Sequence, residues 1–203
     1  MIFGFVRLLL ALLVFAVAFI FIRKSGIKRK RAVTLVLACT AVITVSLSML
    51  IPFENAFVTF QTPESAFQYI NMKTKVKLTV DGKNSSLVVG EKGNVNQYLI
   101  IPKAADGWKL GRGADTKIIK SERVGSVSVC VYQHQKTEDC YITVFDTEGK
   151  PVDLHDNYKS VFTCLPKETV FPDKEYGTYY AYIPYADGEY QLTVNGNNVT
   201  LSE

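Results

Sequence analysis

The sequence predicts an N-terminal two-helix transmembrane hairpin followed by a mainly-β domain, α+β by virtue of one short helix. Three observations carry this prediction. Two apolar runs of 21 residues open the chain. A short basic stretch, "RKSGIKRKR", separates them. From about residue 75 onward, short β-rich segments alternate with Gly, Asn and Asp turns, the pattern of antiparallel sheets in a sandwich or barrel-like arrangement.

The first run, Ile2 to Ile22, is broken only by Arg7, and the second, Ala32 to Pro52, has no charge. A helix rises 1.5 Å per residue, so each run is long enough for the roughly 30 Å of bilayer hydrocarbon. Backbone groups in lipid must be satisfied within the segment, which makes both runs helices. Arg7 lies near one end and can reach the headgroups. A cleaved signal peptide fits less well, because Arg23 and Lys24 follow the first run directly without a small-residue cleavage site.

The loop at 23–31 holds Arg23, Lys24, Lys28, Arg29, Lys30 and Arg31. Basic residues in short loops stay cytoplasmic, and they attract an anionic leaflet. The expectation is a plasma-membrane protein with two spans, about 2–22 and 32–52. The loop lies inside against the lipid bilayer, and the N-terminus and residues 53–203 lie outside. Nucleic acid is not an expected partner. Residues 1–31 carry seven of the 23 basic residues and none of the 19 acidic ones, so the remainder has sixteen basic against nineteen acidic. A folded part of that balance has no positive face to spread over phosphates.

Beyond Pro52, "FVTFQTPESAFQYIN" predicts one soluble helix over 63–70. Thr62 caps it, Pro63 suits the first helical position and Glu64 complements the helix dipole. Ala66, Phe67 and Ile70 form its apolar face. Strands are then predicted around Asp81-Gly82 as a hairpin, and at 95–102, 117–120, 127–133, 140–146, 178–184 and 190–194. Residues 53–203 make one domain, or two with a division near 121–125. "LTVDGKNSSL" (78–87) and "LTVNGNNVTL" (192–201) echo each other, as do "YLIIPKAADGWKL" and "YAYIPYADGEYQL". The order of the echoes is reversed along the chain, so they read as one hairpin solution reached twice rather than as a duplication.

Candidate chemistry is sparse. "VDLHDNY" gathers Asp153, His155 and Asp156, where imidazole beside carboxylate could serve acid–base or metal chemistry; the competing reading is a polar loop. Cys130, His134 and Cys140 fall short of the four ligands of a structural zinc site. With a loop centred on Gln135, Cys130 and Cys140 would face each other across a hairpin and could form a disulfide, which an exported domain permits. No dinucleotide turn, nucleophile elbow or metalloprotease helix is present. No catalytic residue, cofactor or metal is therefore predicted. Thr40, Thr44 and Ser48 form a hydroxyl stripe in the second apolar run, suited either to close helix contact or to bonding its own carbonyls. "YGTYYAYIPYADGEY" concentrates tyrosines that serve either as core or as a binding face.

Phe60, Thr62, Pro63, Glu64, Ala66, Phe67 and Tyr69, continued loosely by "GWKL" at 107–110, form a "TPEEAF"-like helix start. With the layout around it, this resembles small uncharacterised membrane-anchored envelope proteins of Gram-positive bacteria. The resemblance implies a membrane anchor and a β-rich exported domain. It implies no activity and no functional residues. The expected function is a membrane-anchored, extracytoplasmic accessory, binding or sensing module without its own catalysis. The alternatives are a subunit of a membrane protein complex, with a membrane or envelope protein as partner, and an exported hydrolase acting on envelope polymer.

Overall fold

Among the described residues, strand-forming segments and tight turns after residue 74 fold into three antiparallel sheets, preceded by three α-helices. The structure is a computed structural model that describes residues 2–24, 30–50, 52–93, 95–111, 115–148, 150–166, 177–183 and 190–200. The helices are α1 (Ile2–Lys24), α2 (Lys30–Leu50) and α3 (Pro63–Ile70), with a 3-10 turn at Phe53–Ala56. The strands are β1 (Lys75–Asp81), β2 (Ser85–Lys92), β3 (Val95–Ala104), β4 (Gly107–Trp108), β5 (Thr116–Val124) and β6 (Val127–His134), then β7 (Cys140–Asp146), β8 (Leu154–Asp156), β9 (Thr163–Pro166), β10 (Gly177–Ile183), β11 (Gln191–Val194) and β12 (Asn197–Thr200).

The helical start of the chain corrects the expected membrane architecture. Among the described residues no helix is long and apolar enough to cross a membrane. The two-span transmembrane hairpin is withdrawn, and with it the plasma-membrane placement and the inside–outside assignment. Arg23 and Lys24 close α1 and Lys30 and Arg31 open α2, while Lys28 and Arg29 lie outside the described residues. In the hydroxyl stripe, Thr40 and Thr44 donate to the carbonyls of Val36 and Thr40, both at 2.8 Å, so these hydroxyls serve their own helix. Leu12, Leu13, Phe21 and Val42 are exposed.

The β-rich part is layered. One sheet has the order β1-β2-β3-β4, a second β5-β6-β7-β10-β9, and a third β12-β11-β8. Helix α3 covers one face of the first sheet with Ala66 and Phe67 against Val88, Ile101 and Leu110. The other face of that sheet, with Leu87, Val89 and Ile100, meets Tyr141 and Tyr180 of the second sheet. The far face of the second sheet, with Val129, Val131, Ile142 and Ala181, packs on Leu192, Val194 and Val199 of the third. Both β2 and β7 are thus covered on two sides. Their sequences, "SSLVVG" and "CYITV", accordingly lack the apolar–polar alternation of a half-exposed strand.

Local chemistry explains the element limits. The Thr62 hydroxyl accepts from the Ser65 N–H at 3.2 Å, and the Ser65 hydroxyl reaches back to the Thr62 backbone, which makes a capping box with Pro63 just inside. The "GWKL" segment is stitched to the chain before α3. Phe60 and Trp108 exchange backbone hydrogen bonds of 3.0 and 2.9 Å, and Asn55 bonds both backbone groups of Leu110. Phe60, Ala66, Phe67, Tyr69, Trp108 and Leu110 therefore belong to one apolar cluster. Gly90 is required beneath this cluster, because a Cβ there would lie 2.7 Å from the Phe67 ring.

The two echoed hairpins differ in their turns. Asn195 and Gly196 both have positive φ between the paired Val194 and Asn197, a two-residue turn. Asp81 instead pairs with Ser86 across a wider loop, closed by Gly82 N–H to the Ser85 carbonyl at 2.8 Å. Residues 184–189 of the second echo lie outside the described residues. The suggested division near 121–125 is not a boundary: β5 runs through it, and Val124 pairs with Val127 across the turn at Gly125.

Candidate ligand-binding site

A pocket of about 440 Å³ opens at the seam between the first two sheets. Edge strand β1 supplies Thr79 and Asp81, strand β10 supplies Tyr182, and the segment between β8 and β9 supplies Tyr158, Ser160 and Thr163. Val80 and Val161 add apolar surface. The volume lies within the roughly 300–1,000 Å³ usual for small-molecule sites. Thr79 donates its hydroxyl proton to Glu64 of α3. Burial works against the Glu64 charge, but the hydrogen bonds from Thr79 and from backbone outweigh it and hold the carboxyl below its ordinary range. Asp81 accepts from Ser86 Oγ through Oδ1 at 2.6 Å.

The 157–160 turn is held from several sides. Asp156 Oδ1 accepts from the Ser160 N–H at 2.7 Å, and Oδ2 accepts from the Tyr190 hydroxyl at 3.0 Å. Asn157 and Gln191 exchange two bonds, backbone N–H to carbonyl at 3.2 Å and backbone N–H to Asn157 Oδ1 at 3.0 Å. The Tyr158 ring lies nearly parallel to that of buried Tyr190, at 11° with centroids 5.9 Å apart, and remains 42% exposed. Burial, and then the Asp156 charge, push the Tyr190 hydroxyl well above its ordinary pKa, so it stays a donor.

Behind Tyr182 lies a buried polar chain. Asp139 Oδ2 accepts from the Asn84 N–H and from the Ser85 hydroxyl, both at 2.7 Å, and Oδ1 accepts from the Tyr182 hydroxyl at 3.5 Å. The Ser85 proton is committed to Asp139, so Ser85 Oγ accepts from Tyr141 at 2.9 Å and from Thr137 at 3.4 Å. The His134 Nδ1–H then donates to Thr137 Oγ1 at 3.1 Å. Ser85 and His134 are fully buried, and among the described residues His134 Nε2 has no hydrogen-bond partner. Burial pushes the His134 pKa down; Asp115 partly opposes this. The chain joins a serine, a histidine and a carboxylate, but no substrate can reach them. It ties the β1–β2 loop to the β6–β7 loop.

The residues singled out from sequence do not form a second site. His155 Nε2 lies 3.0 Å from Asp153 Oδ1 on the open face of the third sheet, with side chains 75% and 70% exposed. Asp156, next along β8, turns to Tyr190 and Ser160 instead. Strand alternation separates the trio. Cys130 and Cys140 are free thiols, which corrects the expected disulfide. The hairpin is centred between Lys136 and Thr137 rather than on Gln135, so Cys130 pairs with Thr143 and Cys140 with Gln133. Cys140 faces the core beside Val129 and Val131, whereas Cys130 points the other way to Ser121 at 3.4 Å. No group of His, Cys, Asp or Glu among the described residues is placed to hold a metal ion.

No protein-family model, curated protein or solved structure matches the chain. The pocket residues were partly within view of the sequence. Tyr182 falls in the tyrosine-rich stretch, and Tyr158 closes the "HDNY" cluster. Their convergence with Thr79 and Asp81 depends on β1 lying beside β10, a long-range placement for which a single sequence carries no local signal.

Proposed function

We propose that the β-rich part is a ligand-binding module without its own catalysis, and that the Tyr158/Tyr182 pocket is where it binds. One observation carries the reading: the described lining holds two tyrosines and three small hydroxyls but a single carboxylate, Asp81, with no histidine or cysteine. Hydrolysis of a glycosidic polymer ordinarily draws on two carboxyl groups about 5–9.5 Å apart. Tyrosines supply large contact area with a polar tip and little entropy to lose.

The test is a thermal-shift screen of the full chain against small polar and carbohydrate ligands, with product release measured in parallel. Binding at one hundred times Kd stabilises the folded state by about 2.7 kcal/mol, a rise of several degrees. The shift should vanish in Tyr158→Ala and no product should form. Turnover that depends on Asp81 would contradict the proposal.

A second reading, a subunit of a larger protein complex, is favoured by a separate observation. Leu12, Leu13, Phe21 and Val42 are exposed apolar side chains on α1 and α2, and exposed apolar surface can serve as a contact site. Co-purification with a protein partner that is lost on Leu13→Glu and Phe21→Glu substitution supports it; retention of the partner by that variant counts against it.

A further inference from the structure

We infer that the pocket takes a neutral glycan, a short oligosaccharide with one pyranose ring laid on Tyr158. This rests on the pocket being the binding site proposed above. The first ground is the aromatic platform. The Tyr158 ring lies nearly parallel to Tyr190, which is buried and hydrogen-bonded to Asp156, and this contact restricts the ring before any ligand arrives. Preorganisation of this kind lowers the entropy lost on binding. Tyr158 is 42% exposed and lines the pocket, and a flat aromatic surface complements the C–H face of a sugar ring.

The second ground is the polar complement. Thr79, Ser160 and Thr163 line the pocket together with Asp81. Thr79 spends its proton on Glu64, so its oxygen is left as an acceptor, whereas a serine or threonine without such a partner can both donate and accept. Asp81 accepts from Ser86 through Oδ1. A sugar hydroxyl both donates and accepts, which suits a lining of hydroxyl residues with one carboxylate. An anionic ligand would meet the Asp81 charge without any lysine or arginine among the described lining residues. A quaternary ammonium would satisfy Asp81 and the ring faces but would leave desolvated hydroxyls unpaired, which is unfavourable.

Saturation-transfer NMR on the full chain tests this with chitotetraose, cellotetraose and maltotetraose, and with choline and acetate as comparison ligands. At least one oligosaccharide should show transfer concentrated on the C–H protons of one ring. That transfer should be lost in Tyr158→Ala and weakened at least tenfold in affinity by Asp81→Asn, with both variants melting as the parent does. Tyr158→Phe, which keeps the ring, should retain it. Transfer to choline alone, abolished by Tyr158→Ala, would overturn the glycan assignment and leave the binding module standing. No transfer to any of the five would overturn both.

Discussion

At the scale of single residues, the most consequential groups are the buried polar ones. Asp139 takes three donors in a nearly dry setting. Asp139→Ala strands them, and each buried donor left unsatisfied costs about 1–3 kcal/mol. Chemical denaturation should therefore show Asp139→Ala destabilised by about 3 kcal/mol or more, and Asp139→Asn, which keeps one oxygen, by clearly less. His134 gives a pH signature. Its folded pKa lies below the ordinary 6.5 because burial disfavours the charged ring. The unfolded chain then binds a proton that the folded chain refuses, so stability present above about pH 6.5 falls as pH drops toward the folded value. A melting series from pH 7.5 to 5 should decline, and His134→Leu should flatten that slope whatever its effect on the plateau. Cys130 and Cys140 should remain alkylatable as two thiols after denaturation without reductant, because their side chains leave opposite faces of one hairpin.

At the scale of elements, legibility follows the range of the interaction. The limits of α3 could be read from Thr62 and Pro63 because capping acts within four residues. The hairpins at Asp81-Gly82 and Asn195-Gly196 were readable for the same reason, and "CYITVFD" gave β7 to the residue. Strands β8 and β9 were not readable. "LHD" and "TCLP" carry no strand pattern, and they pair only because β11 and β10 lie alongside. The disulfide expectation failed on a shift of the hairpin centre by one to two positions, which moves a side chain to the other face. The binding site was the least legible part, since Asp81 and Tyr158 meet only through packing. Two substitutions probe α3. Thr62→Ala should cost about 1 kcal/mol through the lost cap. Phe67→Ala, which empties the space between α3 and Gly90, should cost about 3–5 kcal/mol. Urea melts distinguish the two.

At the scale of the whole molecule, the β-rich part is one layered unit in which the middle sheet shares a core with each neighbour. Deleting side chains on either face of β7 should therefore lower the same transition. Ile142→Ala and Tyr141→Phe, probed by near-ultraviolet and far-ultraviolet signals, should each shift one coincident melt rather than split it. The layering also explains where the pocket lies. Stacked sheets bury their faces, so a concave site is left at the seam where β1, β10 and the 157–163 segment meet, and the buried chain from Asp139 to His134 stiffens it from behind. The most direct measurement is a calorimetric titration of the full chain with the oligosaccharide that shows transfer, run beside Tyr158→Ala and His155→Ala. Saturable binding that is lost in Tyr158→Ala and unchanged in His155→Ala is the expected result. Binding that survives the loss of Tyr158 or disappears with His155 would contradict the assignment of the site.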